Sequence, residues 1–265
     1  MGGKQRRVWW GDFRAPEFED IDAEAVIAVV PLAAIEQHGP HLPVSTDTAI
    51  MEGMLAETIA LLPSDLDIRI LPVQAVGKSN EHIRSPGTIT YTAETAQRVW
   101  TEIGESVARA GLRKMVIVTS HGGHVDTMRV VARELRVNCQ MLVVTTGWRF
   151  GVPKGLFAEQ EAQHGIHAGD IETSLMLHFR PDLVRTEKVK NFVPSSVRME
   201  NEFKLLRPTG LHAHAWIAQD IHPDGAAGDA SLATAEKGKQ WAEFQAERFI
   251  ELLRDVERFE LSRLA

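Results

Sequence analysis

Three short segments of the chain combine histidine with acidic side chains at spacings that could hold a metal ion. The first runs from Glu36 through His38 to Asp47 and follows the most apolar stretch of the sequence. An extended backbone points Glu36 and His38 to one side, and the glycine and prolines that follow let the chain bring Asp47 back. Carboxylate and imidazole ligands suit zinc, manganese or iron(II). The alternative is a polar loop in which Asp47 caps the next helix.

The second segment consists of His121, two glycines and His124, directly after a predicted strand. Its glycines permit close backbone approach or a positive φ. The alternative is a phosphate-binding turn that opens a helix. That alternative is weakened because the segment lacks the P-loop lysine and the full glycine spacing of a dinucleotide-binding motif.

The third segment places His167 just before a predicted helix and Glu172 in the first turn of that helix. Glu172 could project into the same site as the other acidic groups. Alternatively, Asp170 and Glu172 only interact favourably with the helix dipole. Eleven histidines against one tyrosine also hint at metal chemistry. Taken together, three such segments favour one composite metal site more strongly than any of them alone.

Strands and helices alternate along the chain and must bring these segments together. The predicted strands cover 25–34, 68–76, 114–119 and 140–146. The predicted helices cover 48–62, 93–110, 126–137, 170–178 and 231–259, whereas 147–165 and 186–228 carry few regular signals. This alternation predicts an α/β fold with a mostly parallel sheet. Ligands of such folds bind beyond the carboxyl ends of the strands, where the first two segments lie.

Composition excludes several other classes of protein. The chain has 265 residues, 44% of them hydrophobic, and no linker divides it, so we expect a single domain over 1–265. A net charge of -7 argues against nucleic-acid binding, and one cysteine, Cys139, excludes a disulfide framework. The basic N-terminus, Met1–Arg7, is not followed by the apolar region of a signal peptide. We therefore expect a cytoplasmic protein that contacts no membrane.

The three segments resemble motifs of the creatininase, or creatinine amidohydrolase, family. The resemblance rests on residues 36–43 with Thr46 and Asp47, on 121–123, on 167–174 and on a late glycine- and alanine-rich stretch, 225–238. It spans nearly the whole chain, and its first motif is long and specific. It implies a three-layer α/β/α domain, a homo-oligomer that is often a hexamer, and two divalent ions of zinc, manganese or iron.

The resemblance also implies roles for individual residues. Four positions match metal ligands, with Asp47 bridging the two ions: Glu36, His38, Asp47 and His121. Creatininase has a further ligand, a glutamate, where this chain has Gly123, and we expect Glu172 to replace it. His167 matches a catalytic histidine that protonates the leaving nitrogen. The implied reaction is attack of a metal-bridging hydroxide on an amide, lactam or formamide carbonyl, which breaks a C–N bond.

Departures from creatininase indicate a different substrate. A substrate-binding tryptophan and a glutamate of creatininase align with Gln163 and Ile166 in this chain. We expect a related non-peptide amide, cyclic or linear, as substrate. Trp148 and His82 are candidates for substrate contact. Other branches of the family include a formamide hydrolase of a pyrimidine riboside phosphate and a peptidase of redox-cofactor maturation.

Several of the remaining histidines, and Asp126, could support the site without binding metal. His124 and Asp126 could orient metal ligands, and His41 could support the first motif. A late group could form a substrate lid or a subunit contact: His212, His214 and His222.

One rival function is a metal-dependent isomerase or lyase on the same two-ion site. Another is a non-catalytic module in which the metals only stabilise an oligomer.

Overall fold

A parallel four-stranded sheet forms the centre of the molecule. The computed structural model describes residues 6–265. Its sheet has the order β2-β1-β3-β4 and consists of β1 (Ile27–Leu32), β2 (Ile68–Ile70), β3 (Lys114–Thr119) and β4 (Leu142–Gly147). All three pairings are parallel. Every residue of β1 and β3 is buried, as is typical of strands covered on both faces.

Helices cover both faces of this sheet, so the predicted three-layer α/β/α fold is confirmed. The larger helices are α1 (Thr46–Leu61), α2 (Ala93–Arg109), α3 (Val125–Cys139), α5 (Asp170–Phe179) and α8 (Ala235–Arg258). Alternate residues of β1 enter two separate cores. Val29 packs in the core that includes side chains of α1, α5 and α8, and Ala28 packs in the core that includes Trp100 and Leu135 of α2 and α3.

Two regions differ from the sequence-based expectation. The strand predicted over 68–76 ends at Ile70, because Pro72 has no N–H to continue the ladder, and the segment rejoins β1 only through a bridge at Gln74. The weakly patterned regions contain short elements, namely α4 (Glu159–His164), β5 (Asn191–Phe192), α6 (Ser195–Glu202), α7 (Ala218–Ile221) and β6 (Gly228–Asp229). Most of these elements are too short to show a hydrophobic period.

Residues 1–5 of the basic segment Met1–Arg7 lie outside the described part of the chain. Within residues 6–265, none of the helices combines the length and the apolar character needed to span a bilayer.

Close packing of α5 against α8 holds the helix that carries Glu172. A Cβ atom at Gly238 would overlap the carbonyl oxygen of Ser174. The Ser174 hydroxyl also accepts a hydrogen bond from the Thr234 N–H, and Lys237 forms an ion pair with buried Asp170. The start of α8 therefore fixes the position of α5.

We expect Gly238→Ala to destabilise the protein by about 1–3 kcal/mol, because overpacking strains the core. Alanine also gains about 1 kcal/mol in helix propensity, so the net loss lies in the lower part of this range. Urea unfolding measures the difference, with the exposed Lys239→Ala as the control in the same helix. Equal stability of Gly238→Ala and the wild type would contradict the close α5–α8 contact.

Candidate active site

The structure brings the three sequence segments together at the carboxyl edge of the sheet. Glu36 follows β1, His121 follows β3, Asp47 lies in the first turn of α1, and Glu172 lies in the first turn of α5. Three sets of potential ligand atoms result, each within 4.8 Å, and two of them contain Asp47. One of these two donor sets is Glu36, Asp47 and His121, and the other is His38, Asp47 and Glu172.

The loop after β1 orients His38. Gly39 adopts a φ of 66°, a left-handed conformation that glycine tolerates, and the chain then reverses so that the Glu36 N–H donates to the Val44 carbonyl. His38 Nδ1 lies 3.0 Å from the Glu36 carbonyl oxygen and donates to it. Nε2 therefore faces the carboxylates, 3.6 Å from Asp47 Oδ1 and 3.8 Å from Glu172 Oε2.

His121 faces the same cluster with its other ring nitrogen. Nδ1 lies 3.1 Å from Glu36 Oε1 and 3.7 Å from Asp47 Oδ2. Nε2 points away, 3.2 Å from Glu81 Oε1 and 3.2 Å from the Lys78 carbonyl oxygen. Both of those neighbours are acceptors, so Nε2 carries a proton, and Nδ1 is the ring nitrogen that faces the carboxylates.

Several donor atoms of the cluster are buried and have no hydrogen-bond partner, so they are available to bind a metal. They include both carboxylate oxygens of Glu36, Asp47 Oδ2 and His38 Nε2. Burying a charged group without a partner costs several kcal/mol, and such groups are normally paired or bind metals. The nitrogen and oxygen donors match the ligands preferred by zinc, manganese and iron. The residues therefore fit divalent metal ions, and Asp47 could serve both donor sets.

The pKa values of Glu36, Asp47 and His38 also indicate that the cluster favours positive charge. Burial acts to raise the pKa of Glu36, but the neighbouring histidines, chiefly His121, together outweigh it and hold that pKa well below its usual range. Burial and the neighbouring Glu36 raise the pKa of Asp47 to about 6. Burial acts against protonation of His38, yet Asp47 raises its pKa to about 9. The carboxylates thus draw protons onto the imidazoles, in positions where cations would sit.

His167 lies beside the two donor sets. Its Nε2 donates to the Gln37 carbonyl oxygen at 2.7 Å, and Nδ1 lies 3.8 Å from Glu36 Oε1. Its ring stands 4.1 Å from the His38 ring. Burial and the charge of His38 lower the pKa of His167 to about 4. A neutral His167 therefore offers Nδ1 to the centre of the cluster as a proton acceptor. His167 also forms the third set of potential ligand atoms, together with Glu36 and His38.

His82 and Gln37 belong to the cluster more closely than the sequence indicated. His82 is buried, its Nε2 lies 3.4 Å from Glu36 Oε1, and its ring stands 4.4 Å from that of His167. The Gln37 side-chain amide donates to His82 Nδ1 and to the Gly225 carbonyl, each at 2.8 Å. His82 lies in the loop after β2, and the strand-end rule applied to that loop gives the same location.

The other predicted residues fall into two groups. His124 is buried beneath His121 at a ring distance of 4.6 Å, and His41 Nε2 lies 2.9 Å from the Thr173 hydroxyl. The late histidines lie elsewhere: His222 packs against Phe192, and His214 Nδ1 donates to the Arg207 carbonyl.

Two predicted roles are wrong. The Asp126 side chain is 99% exposed and lies 3.7 Å from Arg129 in the same helix, so it orients no ligand in the buried cluster. Its position in the first turn of α3 points it outward. Trp148 is buried in the hydrophobic core, where its ring lies edge-on against Phe249 of α8. Its place directly after β4 reflects core packing and not substrate contact.

Comparison with known proteins agrees with the fold and the donor cluster. The sequence profile of the creatininase family, described as creatinine amidohydrolase, matches residues 11–253. Mycofactocin precursor peptide peptidase of Mycobacterium tuberculosis (strain CDC 1551 / Oshkosh) is 34% identical over 221 residues, which cover 80% of this chain and 78% of that protein. Creatinine amidohydrolase of Pseudomonas putida is 28% identical over 208 residues, covering 72% of this chain and 79% of that protein.

A solved structure described as "Creatininase Mn" matches with a TM-score of 0.74 at 22% identity, covering 96% of this chain and all of that one. Fold, donor cluster and similar sequences together define an α/β/α protein of the metal-dependent, hydrolase-like class. The chain belongs to the creatininase family, as its motifs predicted.

The shared position of Asp47 gives a specific expectation for metal content. We expect Asp47→Asn to lose both ions, because its carboxylate serves both donor sets. His121→Ala and Glu172→Gln should each lose one ion. Elemental analysis of the purified variants measures this, with exposed Asp126→Asn as a control that keeps the wild-type content. If Asp47→Asn retained one ion at full occupancy, the shared carboxylate would be disproved.

Proposed function

We propose that the protein is a hydrolase that uses two divalent metal ions to cleave an amide C–N bond of a small molecule. The observation that carries this proposal is the pair of buried donor sets joined by Asp47, with unpartnered oxygens on Glu36 and Asp47. Family membership supports it, as do the names of the relatives, a creatinine amidohydrolase and a peptide peptidase. Both kinds of substrate contain an amide bond.

Divalent ions held by Glu36, His38, Asp47, His121 and Glu172 would polarise the amide carbonyl and lower the pKa of a bound water toward neutrality. His167 then handles the proton. Its Nε2–H is held by the Gln37 carbonyl, so Nδ1 is the only ring nitrogen able to accept. Nδ1 takes a proton as water oxygen bonds to the carbonyl carbon, and it returns that proton to the leaving nitrogen as the C–N bond breaks.

A small recess beside His167 suggests the character of the group it admits. Its enclosed volume is only about 10 Å³, and its walls include Ile166, Trp216, Ile221 and alanines 218 and 227. Apart from His82 and His167, none of its lining side chains is ionisable. Such a surface favours an aliphatic or aromatic group over a charged one. Ile166 stands where creatininase has its substrate-binding glutamate, which supports a substrate other than creatinine.

A peptide is the second candidate substrate class. Relatives named as mycofactocin precursor peptide peptidase reach 34% identity over 80% of this chain, against 28% for creatinine amidohydrolase. Activity on a panel of lactams, formamides, cyclic ureas and short peptides with apolar residues separates the classes. Release of amine or ammonia identifies hydrolysis, whereas an isomer or a dehydrated product would support an isomerase or lyase instead.

We expect His167→Ala to lower kcat by about 100-fold or more on the best substrate of that panel, because proton transfer is lost. The variant should keep the wild-type metal content, since His167 lies outside both donor sets that share Asp47. Steady-state kinetics and elemental analysis on the same samples measure both quantities. Loss of one ion would show that His167 is a ligand, and an unchanged kcat would remove it from proton transfer.

A further inference from the structure

The carboxylate of Glu81 occupies the space that a side chain at position 123 would fill. A Cβ atom built on Gly123 would overlap both Glu81 Oε1 and His121 Nε2. Glu81 is absent from both donor sets, because it faces the side of the His121 ring opposite the buried carboxylates. Glycine at 123 thus opens a place for an acid that approaches His121 from a different loop.

Two contacts hold Glu81 in that place. Lys78 Nζ lies 2.9 Å from Glu81 Oε2, which leaves Oε1 directed at His121 Nε2 at 3.2 Å. The main chain at Lys78 is fixed in turn, because its N–H donates to buried His124 at 3.2 Å and its carbonyl oxygen lies 3.2 Å from His121 Nε2. The Glu81 side chain is only 12% exposed, so water screens this contact weakly.

An acceptor on one nitrogen of a histidine decides which nitrogen is free to bind a metal. Carboxylates that hold the far N–H of a ligand histidine fix its tautomer and ring orientation, and losing one typically costs 10–100-fold in metal affinity. Here the far nitrogen is Nε2, and the nitrogen turned to Glu36 and Asp47 is Nδ1. Glu81 stands in the position of such a carboxylate.

We propose that Glu81, held by Lys78, is a positioning residue that fixes His121 with its Nδ1 lone pair directed at the metal set of Glu36 and Asp47. The proposal deepens the proposed function and rests on it for the identity of the ligand. The contacts of Glu81 with His121 and Lys78 exist before any ion binds. Gly123 is part of the same arrangement, because any side chain there would displace Glu81.

Zinc affinity measured by competition with a chromophoric chelator tests the proposal in Glu81→Ala, Glu81→Gln and Lys78→Met. We expect Glu81→Ala to weaken one of the two zinc sites by 10–100-fold and to leave the other unchanged. Glu81→Gln, which keeps an acceptor oxygen but no charge, should weaken it less. Lys78→Met should fall between wild type and Glu81→Ala. The control is Glu102→Gln, which removes an exposed ion pair with Arg98 and should bind zinc as the wild type does.

A second measurement needs no metal. In metal-free protein labelled with ¹⁵N histidine, we expect the Nε2 proton of His121 to exchange slowly with water, and to exchange faster in Glu81→Ala. If the wild type bound no zinc, the proposed function would be wrong. The exchange rate of this proton would still test whether Glu81 holds His121. Wild-type zinc affinity together with a wild-type exchange rate in Glu81→Ala would overturn the positioning role. Lys78→Met serves the same comparison if Glu81→Ala fails to fold.

Discussion

Two carboxylates buried next to each other, Glu36 and Asp47, are the constraint on which the rest of the site depends. Their ion-pair partners within the described chain are imidazoles, with no lysine or arginine among them. Two like charges in a low-dielectric interior repel each other and lose their hydration, so the fold must supply compensating charge. Protonated histidines can do this in part, and divalent cations do it more completely. Burial of these two carboxylates therefore favours a bound cation at this place.

The fold meets that constraint by bringing rigid elements to one edge of the sheet. Glu36 and His121 follow adjacent strands, and Asp47 and Glu172 start helices that pack against each other and against α8. The helix with Glu172 is further fixed by Glu161, whose buried carboxylate accepts the backbone N–H groups of Ile171 and Asp229. The donors therefore need little rearrangement to receive an ion, which favours tight binding.

The sequence was informative where residue type and strand position coincide. The apolar run before Glu36 and the strand before His121 predict both the parallel sheet and the edge at which these side chains meet. The position of Glu172 alone left two readings open, because an acid in the first turn of a helix has an equally good explanation in the helix dipole, and the resemblance favoured the metal ligand. Trp148 and Asp126 were misplaced because sequence proximity to a site does not fix the direction of a side chain.

Glu81, His82 and Gln37 show where sequence reasoning ended. Gln37 follows β1 next to Glu36, whereas Glu81 and His82 lie in the loop after β2, a strand cut short by a proline. The turn-forming residues of that loop gave no sign that His82 would be buried or that Glu81 would contact His121. Only the three-dimensional structure shows that Gly123 leaves room for Glu81. A glycine that is needed because it lacks a side chain cannot be recognised from its sequence alone. Its role follows from the groups that surround it in the structure.

The most direct test of this account is anomalous X-ray diffraction from crystals of the purified protein loaded with zinc or manganese. Two ions that share Asp47 should give two anomalous peaks about 3.5–4 Å apart, the usual spacing of two-metal sites. One carboxylate oxygen of Asp47 should face each peak, with His121 Nδ1 at one and His38 Nε2 at the other. A single peak, or two peaks away from Asp47, would contradict this account.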